Sequence, residues 1–241
     1  MAKIAIVTGA SSGIGEAISK SLCEMGYDVY GFGRVFREDS VLWQKDFLVA
    51  AKGNFQGIVC DLLRTEELLK HIKEIRKKGE IEVLVNNAGV GFYGLHEELN
   101  PKKIQTMLRT NLEVPMVLTN VLLRDLKKNK GSIINVSSVT ATQSNPHGCA
   151  YGAAKAGLTS FSHSLFDEAR KYGVKVVNIQ PDMAKTNLYR DADFQEGEEE
   201  EAYLLPEEVA EAVEYVLDKR QGVVVTDLTI RPQIHRIRRK K

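Results

Sequence analysis

Short apolar runs and longer amphipathic stretches alternate along the whole chain. Nearly unbroken apolar runs occur at residues 3–8, 28–32, 55–60, 82–86, 132–137, 174–180 and 223–230. Runs of this length, bounded by glycine, asparagine, aspartate or lysine, read as strands buried on both faces. Between them, apolar positions recur three and four residues apart over 13–25, 39–51, 65–78, 101–128, 147–172 and 206–219, the spacing of helices that bury one face. Pro206 stands at the favoured first-turn position of the last of these. Strict alternation of strand and helix predicts an α/β protein, a doubly wound parallel sheet with helices on both faces. No internal repeat, Pro/Ser linker or boundary divides residues 1–241, which read as one domain.

Two stretches depart from the pattern. Residues 191–201 are highly acidic and end in Glu198-Glu199-Glu200-Glu201. They read most simply as a solvated helix face or a mobile loop. Residues 231–241 are strongly basic and read as a solubilising tail, with a subunit contact or an anionic substrate as the less favoured alternatives.

Composition narrows the function classes. A length of 241 residues suits one α/β domain with a sizeable core. A net charge of +1 gives no reason to expect a nucleic-acid partner. No apolar run reaches bilayer length, so no membrane partner is expected. Cys23, Cys60 and Cys149 form neither a metal-ligand spacing nor an even disulfide set, which predicts reduced thiols, no metal and a cytoplasmic location. Residues 1–8 run directly into a strand pattern, which reads as no signal peptide.

The first strand ends at Thr8 and is followed by Gly9-Ala10-Ser11-Ser12-Gly13-Ile14-Gly15, which opens the first helix. In this context Gly9 permits a tight turn, Gly13 lets backbone approach phosphate, and Gly15 permits close helix packing. The helix N-terminus, reached through Ser11, Ser12 and Ile14, offers unpaired N–H groups to a pyrophosphate. The arrangement predicts a dinucleotide on a Rossmann fold. At the end of the second strand, where a carboxylate would bind a ribose 2′-hydroxyl, stand Gly33 and Arg34. Arg34 is suited to fork onto a 2′-phosphate, with Ser11, Ser12 and Arg37 as further donors, so NADP(H) is favoured over NAD(H). Asp61-Leu62 follows the third strand and Asn86-Asn87-Ala88-Gly89 the fourth, both at the carboxyl ends where open sheets bind ligands. Asp61 can accept from an adenine amino group or cap the next helix, for which Thr65 is the better candidate. Asn87, Ala88 and Gly89 form a turn able to approach the cofactor.

Tyr151 and Lys155 lie one helical turn apart on one face, thirteen residues beyond Ser138. A lysine cation beside a phenol favours the phenolate, and a phenol tuned toward neutral pH can exchange a proton with a substrate oxygen. A dinucleotide site and a proton-moving pair together read as a redox enzyme.

With Thr8–Gly15, Asp61, Asn86–Gly89, Asn111, Ser138, Tyr151, Lys155 and the Pro181…Thr186 turn in this order and spacing, the chain resembles the short-chain dehydrogenase/reductase family over nearly its whole length. The resemblance implies a seven-stranded parallel sheet, a nicotinamide cofactor and a tetrad of Asn111, Ser138, Tyr151 and Lys155. It gives Ser138, rather than Ser137, the orienting of the substrate oxygen, and Tyr151 the proton transfer. It gives Lys155 the tuning of Tyr151 and the nicotinamide ribose, Asn111 a water leading to Lys155, and Pro181 and Thr186 cofactor contacts. The segment 186–205 becomes a substrate lid, with Phe92, Tyr93, Gln143, His147, Met183, Leu188, Tyr189 and Phe194 as pocket candidates. Asp182 departs from the family's glycine after the sixth strand and reads as a turn residue. The implied reaction interconverts a small-molecule carbonyl and a secondary alcohol. A non-catalytic NADP(H)-binding regulator and a nucleotide-sugar epimerase are the competing readings. The first is disfavoured because such proteins usually lose the tyrosine or the lysine, the second because such chains tend to carry a larger C-terminal lobe. Leu158, Phe161, Leu165, Phe166 and Ala169 make the helix after Tyr151 more apolar than one sheet contact needs, which with the resemblance predicts a homodimer or homotetramer.

Overall fold

A computed structural model describes residues 2–240, apart from the side chains of Lys45 and Leu48; Met1 and Lys241, at the ends of the predicted domain and basic tail, lie outside the described residues. Seven strands form one parallel sheet: β1 (Lys3–Thr8), β2 (Asp28–Gly33), β3 (Phe55–Val59), β4 (Glu80–Asn86), β5 (Ser132–Val136), β6 (Lys175–Pro181) and β8 (Asp227–Ile230). Their order is β3-β2-β1-β4-β5-β6-β8, so the chain reverses its direction of travel between β1 and β4. That switch point opens a crevice at the strands' carboxyl ends, where ligands of open α/β sheets bind.

The apolar runs divide between the two faces by strand alternation. From β1, Ala5 and Val7 join Ile18 and Leu22 of α1 (Gly13–Glu24) and Val209 and Val213 of α7 (Pro206–Leu217). Ile4 and Ile6 face the opposite way. They meet Leu68 and Ile72 of α3 (Thr65–Ile75), Leu118 and Leu122 of α5 (Val114–Asn129) and Leu165 of α6 (Cys149–Ala169). All these side chains are buried, each worth about 1.5–3 kcal/mol relative to exposure. Phe161 and Phe166, singled out for a subunit contact, pack partly buried against this second cluster.

Three element expectations are corrected. The helix expected over 39–51 is a single turn at Val41–Trp43 followed by α2 (Lys45–Ala50). Gln44 between them is extended, and Trp43 leaves the helical path to pack on Phe55 and Phe36, with ring centroids 5.2 and 6.1 Å away. The helix expected from 147 starts at Cys149, because His147 has a left-handed φ of 62° that no helix accepts. The last sheet strand is Asp227–Ile230 rather than 223–230. The long helix over 101–128 is α4 (Pro101–Leu108) and α5 joined by a π-helical turn at Arg109–Glu113.

The acidic and basic stretches were read as independent solvated segments, and here the structure differs most. Phe194–Glu196 (β7) and Ile237–Arg239 (β9) pair antiparallel as a two-stranded sheet. Arg236 and Arg238 hold Glu199 and Glu198, and Lys240 Nζ donates to the carbonyls of Tyr189 and Arg190. The basic segment therefore braces residues 189–201.

Candidate active site

The glycine turn explains its own residue types. Gly9 and Gly13 have φ of 69° and 56°, the left-handed region that suits glycine. A Cβ on Gly15 would lie 2.1 Å from the Gly9 carbonyl oxygen, so the helix can start this close to the turn only without a side chain. Thr8 Oγ1 accepts the N–H groups of Asn87 and Ala88 at 3.0 Å each, and Asn87 Nδ2 donates to Thr8 O at 2.9 Å. Those bonds fasten the loop after β4 to the glycine turn. Across the opening, a Cβ on Gly13 would come within 3.1 Å of Thr186 Cγ2.

Between them lies a cleft of about 310 Å³. Every cofactor-contact candidate lines it: Gly9, Ser11, Ser12, Gly13, Ile14, Gly15, Arg34, Asp61, Leu62, Asn87, Ala88, Gly89, Tyr151, Lys155, Pro181 and Thr186. Ser138 lines it too, while Asn111 is buried behind it. The cleft therefore joins a helix N-terminus, an exposed arginine and a tyrosine–lysine pair, a donor set that fits an elongated anionic nucleotide. Arg37 is not free to join them, because it forks onto Asp39 at 2.9 and 2.6 Å. Asp61 Oδ1 accepts the Leu63 N–H at 3.0 Å, bracing the turn before α3, whereas Thr65 is the helix's first residue rather than its cap.

The two serine candidates separate. Ser137 Oγ donates to Lys155 O at 3.0 Å and shares a hydrogen bond with Thr159, which ties it into the body of α6. Ser138 Oγ sits at the cleft, accepting from Thr140 N and Thr140 Oγ1. Asn111 occupies the π-turn, a departure from α-helix that recurs at functional sites. Its amide accepts from Val90 N and donates to Val90 O, both at 2.9 Å, so it clamps the loop that carries Gly89. A Cβ on Gly89 would lie 3.6 Å from Asn111 Oδ1 and 3.7 Å from Lys155 Nζ, so these groups converge there.

The electrostatics correct one expectation. Burial pushes the Tyr151 phenol up to about 12, with the Ser138 hydroxyl opposing the rise, and holds the Lys155 ammonium down at about 8. Lys155 Nζ donates to Val136 O at 2.8 Å and lies 5.8 Å from the Tyr151 ring centre. Desolvation thus outweighs the lysine's pull toward phenolate.

A stability prediction follows. Below about pH 8 Lys155 is charged both folded and unfolded, and the fold bears the whole cost of burying it. As pH rises from about 8 toward 10.5, only the unfolded chain keeps the proton, so this group's contribution raises stability. In Lys155→Met that pH term is absent. Moving from pH 7 to pH 10 should therefore shift the stability difference toward wild type by on the order of 2 kcal/mol in urea titrations. A difference independent of pH would contradict the burial account.

Sequence reasoning missed the layer beneath the site. Asn86, Asn135 and Asn178 stand side by side on β4, β5 and β6. Asn86 Nδ2 donates to Asn135 Oδ1 at 2.8 Å, and Asn135 Nδ2 to Ser162 Oγ at 2.8 Å. A lone asparagine within three consecutive apolar runs was the available signal. The pocket candidates divide as well. Phe92, Leu188 and Tyr189 line the cleft, and Tyr93 and Phe194 pack beside it. Met183 is buried, Gln143 accepts a hydrogen bond from Arg231, and His147 contributes its carbonyl to Gly94 N.

The short chain dehydrogenase family matches residues 3–197. An uncharacterized oxidoreductase of Staphylococcus epidermidis is 33% identical over 235 residues, covering 95% of this chain and 97% of its own. A farnesol dehydrogenase of Aedes aegypti is 32% identical over 238 residues, covering 95% and 96%. The solved alcohol dehydrogenase of the archaeon Thermococcus sibiricus, complexed with 5-hydroxy-NADP, superposes with a TM-score of 0.85 at 25% identity over 100% of both chains. On the sequence match, the shared fold and the cleft together, the chain belongs to the short chain dehydrogenase family and is one of its oxidoreductases.

Proposed function

We propose that the enzyme uses NADP(H) to interconvert a carbonyl and a secondary alcohol, with Tyr151 as the acid. The observation that carries this is the convergence of Ser138, Tyr151 and Lys155 on the cleft that also holds the glycine turn and Arg34. Gly9, Gly13 and Gly15, with Ser11, Ser12 and Ile14, would hold the pyrophosphate. Arg34 would hold the 2′-phosphate, Asp61 and Leu62 the adenine side, and Asn87 to Gly89, Lys155, Pro181 and Thr186 the nicotinamide half. When bound, the cofactor supplies the hydride in reduction and accepts it in oxidation. Ser138 hydrogen-bonds the substrate oxygen. Tyr151, protonated at neutral pH because burial raises it to about 12, gives that oxygen a proton, an arrangement that favours reduction. Lys155 stands next in line to replace the proton. Residues 186–205 act as the lid on one domain spanning 1–241. Phe161, Phe166 and the exposed Met116 of α5 support a homodimer or homotetramer. The bound 5-hydroxy-NADP of the Thermococcus sibiricus neighbour supports the choice of cofactor.

The test is a comparison of kcat/KM for NADPH and NADH over a panel of ketones, followed by absorbance. NADPH should be preferred at least ~10-fold, the lower end for one charge-assisted contact. Tight NADPH binding without turnover of any carbonyl would instead favour the regulator reading.

A further inference from the structure

The carbonyl-reducing reading leaves the substrate open, and the surroundings of Tyr151 narrow it. Tyr93, in the loop after β4, places its ring centre 5.7 Å from that of Tyr151. Tyr189 and Phe194, from residues 186–205, pack on Tyr93 at 5.9 and 5.0 Å and on each other at 5.4 Å. Phe194 meets Tyr93 edge to face, at an interplanar angle of 74°. Met107 and Phe92 continue the apolar wall around Tyr151.

The wall is also uncharged. Burial pushes the phenols of Tyr93 and Tyr189 up, so both stay neutral at physiological pH. The nearest ionic groups are committed elsewhere. Asp182 accepts the Met183 N–H at 2.9 Å and faces the Arg231 guanidinium at 3.9 Å, and Arg190 faces Asp191 at 3.5 Å. An anionic substrate would lose its hydration against rings, which costs more than a neutral group loses.

To reach the Tyr151 hydroxyl, a substrate must part Tyr93 from Tyr189 and Phe194. An aromatic ring restores the edge and face contacts that this breaks, whereas a sugar or a carboxylate does not. Resting on the carbonyl-reducing reading, we infer that the substrates are neutral aryl ketones and the corresponding benzylic alcohols, with Tyr93 and Phe194 as the residues that select them.

The experiment measures kcat/KM at saturating NADPH for acetophenone, butanone, acetoacetate and fructose. Acetophenone should lead each of the others by at least ~10-fold, the scale of two aromatic contacts regained. Tyr93→Leu keeps the bulk and removes the ring. It should lower kcat/KM for acetophenone about tenfold, mainly through KM, while butanone changes by less than about twofold. Phe194→Leu should behave alike, and NADPH binding followed by its fluorescence should be unchanged in both. A higher kcat/KM for acetoacetate or fructose would overturn the inference and leave carbonyl reduction standing, as would retention of the acetophenone preference in Tyr93→Leu. Turnover of none of the four would overturn both.

Discussion

Tyr151→Phe should lower kcat by at least ~100-fold, the scale of a positioned acid–base group, while NADPH binding stays within about twofold of wild type. The substitution removes one hydroxyl and keeps the ring that packs against Met107 and Tyr93, so the fold has no reason to change. It should not destabilise the protein, because it removes a buried phenol rather than a packed group. Single-turnover kinetics with NADPH would separate the chemical step from release. A folded variant that keeps most of its activity would remove Tyr151 as the proton donor and bring Lys155 forward in its place.

Arg34→Ala should weaken NADPH by one to two decades, since a charge-assisted contact contributes about 1.5–3 kcal/mol, while NADH changes little. Arg34 is exposed, so the effect should sit toward the low end and shrink as salt is added. The reciprocal change needs more care than the sequence suggested. A Cβ on Gly33 would lie 2.7 Å from Ser11 Cβ, closer than side chains tolerate. Gly33→Asp should therefore turn preference toward NADH only when paired with Ser11→Gly. The measurement is kcat/KM for both cofactors in each variant. Equal losses with NADPH and NADH in Arg34→Ala would make Arg34 a general surface charge with no part in selecting the 2′-phosphate.

The sheet was legible because its strands are local and fully buried. Ile4 to Val7 and Ile133 to Val136 announce themselves whatever surrounds them. The cleft was legible for a related reason. Glycines that need a positive φ or a missing Cβ, as at Gly9 and Gly15, have few substitutes, so their spacing carries three-dimensional information. What depends on distant partners was not legible. Trp43 breaks the expected second helix to reach Phe55, and Glu198 and Glu199 meet arginines about forty residues away. The electrostatics of Tyr151 failed for the opposite reason. The lysine four residues on was visible, but the depth of burial that overrides it was not.

The pairing of β7 with β9 also sets an order of events in the life of each molecule. A chain is synthesised from its N-terminus, and Phe194–Glu196 emerges before α7, β8 and its own partner Ile237–Arg239. The parallel sheet, glycine turn and tyrosine–lysine pair can thus all be in place on the ribosome while the acidic segment still lacks its second strand. Newly made enzyme passes through a stage with its nucleotide cleft built and its substrate side open.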